Sequence, residues 1–181
     1  MPAERVPDDY GLDAASRLSF EEIERLVRGF VHVGVRKLRI TGGEPLLRKR
    51  LPELIARLAA IERLDDIALT TNGSLLAAQA HALRDAGLHR VTVSLDTLRS
   101  DRFVALARYN ELARVRSGIA AAYQAFGGLK IDTVVIRGVN GFPSALREIV
   151  GAFGTEVSGV ISVRPARRGF RQDPPLRVLV E

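Results

Sequence analysis

Arg39-Ile40-Thr41-Gly42-Gly43-Glu44-Pro45 decides the fold class: an alternating run ends in a hydroxyl, breaks at paired glycines, and is followed by a proline that stiffens the turn. Backward from it, Gly34 suits the left-handed position that closes a helix, and residues 35–41 alternate apolar with polar as a half-buried strand does. Ser19-Phe20-Glu21-Glu22 has capping-box spacing with Leu18 and Ile23 placed as a staple, so a helix starts there and carries Ile23, Leu26, Val27, Phe30 and Val31. Forward from it, Pro52 suits the first turn of a second helix bearing Leu54, Ile55, Leu58 and Ile61, and Ile67-Ala68-Leu69-Thr70 returns as a strand stopped by Asn72-Gly73. A third helix is expected from about Leu75 to Ala86, closing at Gly87. Residues 88–94 then repeat the form of Gly34 to Thr41, ending at Ser94. A helical stretch around Glu111 to Phe126 leads to a β-branched strand over Leu129 to Ile136, stopped by Gly138, and a last helix is expected over Ala145 to Phe153.

Helices alternating with strands through short connections imply parallel strands and right-handed crossovers, in a barrel or in an open sheet. Either architecture binds ligands beyond the carboxyl ends of its strands. Arg39 lies between Leu38 and Ile40, so its side chain points away from their face, either into a lumen holding a charged ligand or, on an edge strand, into solvent. Gly42-Gly43 lets backbone approach a ligand closely and Glu44 can accept from an ammonium, yet the same four residues serve as a plain strand-to-helix turn. Thr70 and Ser94 are hydroxyls at two further strand ends, able to donate to phosphate, ribose or carboxylate oxygens, although Thr is common in strands. Lys130 opens a strand, where a lysine either neutralises a phosphate or guards the strand against aggregation.

Composition narrows the classes. At 181 residues and 46% hydrophobic, the chain can bury one substantial core. It contains no cysteine, which excludes disulfides, thiolate nucleophiles and cysteine-held clusters on these residues. His32, His81 and His89 lack i, i+4 partners, so no metal site is expected. No run reaches membrane-spanning length and no apolar signal core opens the sequence, so a soluble, cytoplasmic protein is the default expectation. Of the net charge of +6, half lies from Arg164 to Glu181, where five Arg face one Asp and one Glu. Aromatics are 6% and do not interleave with these basic residues, so the charge reads as a solvated surface rather than a nucleic-acid platform. Neither Gly-x-x-x-x-Gly-Lys nor Gly-x-Gly-x-x-Gly occurs.

Taken in order, Leu18-Ser19-Phe20-Glu21-Glu22-Ile23, residues 39–48, Leu69-Thr70-Thr71-Asn72-Gly73, Val93-Ser94-Leu95-Asp96 and residues 130–140 closely resemble the radical S-adenosylmethionine family, in particular the GTP 3′,8-cyclases of molybdenum cofactor biosynthesis. The resemblance covers most of Leu18 to Phe153, and Met1-Pro2-Ala3-Glu4 is similar to the residues immediately after the last cysteine of the family's Cys-x-x-x-Cys-x-x-Cys loop. It implies an incomplete (β/α) barrel of parallel strands in which a four-iron, four-sulfur cluster cleaves S-adenosylmethionine to a radical that attacks the ribose of GTP. In that family the product passes to cyclic pyranopterin monophosphate synthase, the partner the resemblance implies. By motif match, Gly43, Glu44 and Ser94 would contact S-adenosylmethionine, and Arg39, Thr70 and Lys130 would line the GTP side, which favours the lumen for Arg39.

The departures from the family pattern set further expectations. The cluster cysteines and the first strand would lie upstream of Met1, Asp132 stands where the family usually shows Asn, and residues 160–166 occupy the place of a Phe-Ile-Glu-x-Met strand. The implied layout is an irregular segment over 1–17, a partial barrel lacking its first strand over 18–163, and a basic tail over 164–181, readable as disordered. An open edge at Leu38 to Thr41 would invite self-association. The chain as written is expected to be an inactive fragment; the alternative is a cluster-less module that binds a nucleotide or S-adenosylmethionine without turnover.

Overall fold

The computed structural model describes residues 17–107, 110–136, 151–152, 158–164 and 176–180. Helix α1 (Phe20–His32) begins as its sequence dictates: Ser19 Oγ accepts the Glu22 N–H at 3.1 Å and Glu22 Oε2 accepts the Ser19 N–H at 2.7 Å, the reciprocal capping box. Gly34 follows with φ +102, a conformation that a side chain rarely adopts, and the chain turns into strand β1 (Lys37–Ile40). A 3₁₀ turn at Pro45–Leu47 leads into α2 (Leu51–Ala59), then β2 (Asp66–Thr71). A second 3₁₀ turn at Leu76–Ala78 precedes α3 (Ala80–Asp85), β3 (Arg90–Ser94), α4 (Ser100–Ala107), α5 (Leu112–Phe126) and β4 (Lys130–Ile136). Strands β5 (Ser158–Arg164) and β6 (Leu176–Val180) complete the described elements.

The sheet order is β1-β2-β3-β4-β5-β6, with β1 to β5 parallel and β6 antiparallel to β5. Strands that neighbour one another in sequence order, with no reversal, wind in one direction, and right-handed crossovers then put every helix on the same face. That progression belongs to barrels and is unlike doubly wound sheets, whose order reverses at a switch point. The (β/α) expectation therefore holds, and the barrel is incomplete: β1 has one hydrogen-bonded strand neighbour among the described residues.

The helix-facing side of the sheet carries Ile67, Leu69, Val91, Val93 and Ile131, all at most 2% exposed, packed with Leu54, Ile55, Leu58, Leu83 and Ile119 from the helices. Burial of this kind is the main favourable term in folding, about 1.5–3 kcal/mol for each large apolar side chain. At the β1 edge a groove of about 290 Å³ runs between α1, α2 and β1, lined by Ile23, Val27, Leu38, Leu54 and Leu58 among others. Val27 and Val31 of α1 are buried, whereas Leu26 and Phe30, at equally helical spacing, are exposed.

Three features differ from the elements expected of the sequence. The third helix is not continuous from Leu75 to Ala86: it breaks at Gln79 (φ −123), whose side-chain amide donates to Leu46 O at 3.2 Å and ties the break to the neighbouring loop. Helix α4 has no counterpart among the elements expected from the sequence. Part of the basic tail, Leu176–Val180, is a strand paired antiparallel with β5, a pairing that needs no crossover helix. The helix expected over Ala145–Phe153 falls largely outside the described residues, of which Gly151 and Ala152 are helical.

Candidate functional site

The opposite face of the sheet is polar. Because side chains alternate along strands and register partners share a face, Arg39, Ala68, Thr70, Arg90, Thr92, Ser94, Lys130 and Asp132 all lie on it. Arg39 reaches from β1 across β2: its Nη1 donates to Thr70 Oγ1 at 3.0 Å and, more weakly, to Thr92 Oγ1 at 3.4 Å. Thr92 pairs in register with Lys130, and Ser94 with Asp132. Thr92 is 3% exposed although it lies on the face away from the packed helices, and the Arg39 guanidinium reaches its hydroxyl. Sequence reasoning passed over Thr92, since a threonine in a strand carries no signal until a guanidinium is seen to reach it.

Lys130 Nζ stands 3.8 Å from Asp132 Oδ1, two residues along the same strand face. That oxygen is closed off from solvent and has no hydrogen-bond partner among the described residues. Nearer the amino ends of the strands, Arg90 donates to both oxygens of Asp66, a cross-strand pair that holds the Asp66 carboxyl below its ordinary range. His89 is spoken for structurally: its Nδ1 accepts the Ile67 N–H at 3.1 Å. Among the described residues no group of three or more His, Cys, Asp or Glu could hold a metal.

The loop after β1 is locked to the end of β2. Glu44 Oε1 accepts from Leu46 N at 3.0 Å and Thr71 Oγ1 at 2.7 Å, and Oε2 accepts from Asn72 N at 2.8 Å. Three of roughly four acceptor positions on this carboxylate are thus occupied by protein. Thr71 Oγ1 in turn accepts the Gly73 N–H at 3.0 Å, and Asn72 Oδ1 accepts from Ser74 N and Oγ at 2.9 and 2.8 Å. Glu44 therefore works first as a clamp, and the Gly42-Gly43 backbone is held at the mouth of the polar face. A Cβ added at either glycine would meet nothing within 4 Å, so the backbone there is uncovered.

The next rim segment is stitched in the same manner. Asp96 Oδ1 accepts the Val134 N–H at 2.7 Å, Leu95 N donates to Asp132 O at 2.9 Å, and Thr133 Oγ1 donates to Leu95 O at 2.7 Å. Burial pushes the Asp96 carboxyl above its ordinary value while the Val134 N–H pulls the other way. Arg39, Thr70 and Thr92 are thus joined by hydrogen bonds, Lys130 joins their row through strand register, Ser94 lies two residues further along the same face of β3 in register with Asp132, and Gly43 and Glu44 sit at the rim, tied to the end of β2. The arrangement supplies the cations Arg39 and Lys130 with the hydroxyls of Thr70, Thr92 and Ser94, beside the Asp132 carboxylate on the face and the Glu44 carboxylate at the rim, a set that suits a polar anionic ligand.

The sequence profile of the Radical SAM superfamily matches residues 7–143. A GTP 3′,8-cyclase from Xanthomonas axonopodis pv. citri (strain 306) is 63% identical over 142 residues, 77% of this chain and 42% of that enzyme. GTP 3′,8-cyclases from Acidothermus cellulolyticus and Pelotomaculum thermopropionicum are 54% and 52% identical over the same share of this chain. The chain spans less than half the length of these curated relatives. Among solved structures, Streptococcus suis SuiB superposes with a TM-score of 0.67 at 16% identity, covering 88% of this chain and 36% of that one. A radical SAM methyltransferase from Sphaerobacter thermophilus gives 0.63 at 18% identity, covering 80% and 47%. Such identities speak for the fold alone, but the profile match extends over most of the chain, and the chain belongs to the radical SAM superfamily.

Proposed function

We propose that this chain is the nucleotide-binding part of a GTP 3′,8-cyclase, with GTP phosphates on Arg39 and Lys130, Thr70 beside them, and S-adenosylmethionine held by Gly43, Glu44 and Ser94. The observation that carries the reading is the Arg39 guanidinium laid across Thr70 and Thr92 on an uncovered sheet face, a donor fork of the kind that binds phosphate oxygens. The relatives' shared activity supports the choice of GTP. The open backbone at Gly42-Gly43 fits the methionyl part of S-adenosylmethionine, which when bound supplies the adenosyl group for radical formation. The protein's own part is to bind, orient and shield. A four-iron, four-sulfur cluster does not fit these residues, because none of the 181 is a cysteine, and no radical step is derived from them.

A second reading follows from that same lack of cysteine: a cluster-less module that holds GTP or S-adenosylmethionine without turnover. In either case residues 18–163 form the working unit, in the cytoplasm, with any product passing to cyclic pyranopterin monophosphate synthase. Among the described residues no helix is long and apolar enough to cross a membrane. Self-association through the β1 edge belongs to the proposal as well, and sedimentation velocity showing only monomer across a hundredfold concentration range would remove it.

Calorimetric titration tests the reading. GTP binds at micromolar concentration without added iron, and Arg39→Ala weakens it roughly tenfold to a hundredfold, the worth of a charge-assisted hydrogen-bond pair. No heat at millimolar GTP would end the nucleotide reading.

A further inference from the structure

The Lys130–Asp132 pair puts a fixed negative charge inside a face otherwise built for anions. The two residues alternate on one strand, so both side chains rise from the same side of β4, beside Thr92 and Ser94 of β3. Their charged atoms stand 3.8 Å apart, too far for a hydrogen bond and near enough for the carboxylate to offset much of the ammonium's field. Asp132 Oδ1 is closed off, yet the side chain as a whole is 39% exposed, so its exposure lies on its other atoms. A carboxylate in this position repels a bare polyphosphate approaching Lys130 and at the same time offers an acceptor to any neutral hydroxyl or amine on a ligand.

We propose that Asp132 is a specificity-determining residue that makes the polar face select nucleoside triphosphates over bare polyphosphate anions. The inference rests on the nucleotide reading above and deepens it. Specificity of this type comes from a repulsive element as much as from an attractive one. An inorganic triphosphate meets the carboxylate's charge with nothing to offer it. A nucleoside triphosphate meets the same charge but carries sugar hydroxyls that donate to the carboxylate, as ribose does in dinucleotide sites.

The test compares wild type with Asp132→Asn, which keeps the side-chain volume and one acceptor oxygen while removing the charge. Each protein is titrated calorimetrically with GTP and, separately, with inorganic triphosphate. Asp132→Asn is expected to bind triphosphate about fivefold more tightly, the size of an ion-pair interaction in partly exposed surroundings, and to change GTP affinity less, so the preference for GTP falls. Equal fold-changes for the two ligands, or none for either, would overturn the proposal. Wild type that binds neither ligand at millimolar concentration ends the nucleotide reading instead. Selection by Asp132, which rests on that reading, falls with it.

Discussion

Gly118→Ala lowers the stability of this protein by about 1–2 kcal/mol, although alanine is the better helix former. Gly118 lies in the middle of α5, where helix propensity alone would favour alanine by roughly 1 kcal/mol. The opposing effect is larger. A Cβ at this position would sit 2.3 Å from the carbonyl oxygen of Gly73 and 3.1 Å from Leu76 Cβ. The Gly73 carbonyl cannot swing aside freely, because it accepts the Leu76 N–H at 3.2 Å. Overpacking against backbone costs about 1–3 kcal/mol or more, so the clash wins, and thermal unfolding is expected several degrees below wild type. Gly29→Ala in α1 is the control: a Cβ there meets nothing within 4 Å, and a gain of up to about 1 kcal/mol is expected. A Gly118→Ala protein as stable as wild type would mean that α5 does not press on the Gly73 turn.

Glu44→Ala is expected to cost about 3 kcal/mol in urea denaturation. The substitution strips the acceptor from Leu46 N, Thr71 Oγ1 and Asn72 N together, and Thr71 is only 2% exposed, so water replaces its partner poorly. Each buried donor left without an acceptor costs about 1–3 kcal/mol, with water recovering part of the loss at the half-buried Asn72. Glu44→Gln retains one acceptor oxygen and is expected to lose about half as much. If the carboxylate served a ligand and not the fold, Glu44→Ala would unfold at the wild-type urea concentration.

The strands and the rim loops were legible because their signals are local. The Ser19–Glu22 capping box, Gly34 at φ +102 and the Asn72-Gly73 stop are each set within a few residues, and each appears as read. The partners of the rim residues were not legible. Arg39 reaches Thr92 across fifty-three positions, and Glu44 reaches Asn72 across twenty-eight, so no periodicity or spacing could show either bond. The break at Gln79 escaped for the same reason, being fixed by a bond to Leu46 O in another loop. Gly118 gave no warning because a glycine inside a helical pattern explains itself only when the opposing carbonyl is in view. Helix α4 is short and buries only Phe103 among its apolar residues, leaving little pattern to read.

Backbone amide NMR during a GTP titration tests the central claim most directly, because it maps where the ligand sits without requiring turnover. The account predicts shifts concentrated at residues 39–44, 70–73, 92–96 and 130–133, the carboxyl-end rim and polar face of the parallel sheet. Shifts confined to α1, to the groove between α1 and α2, or to residues 164–181 would contradict it.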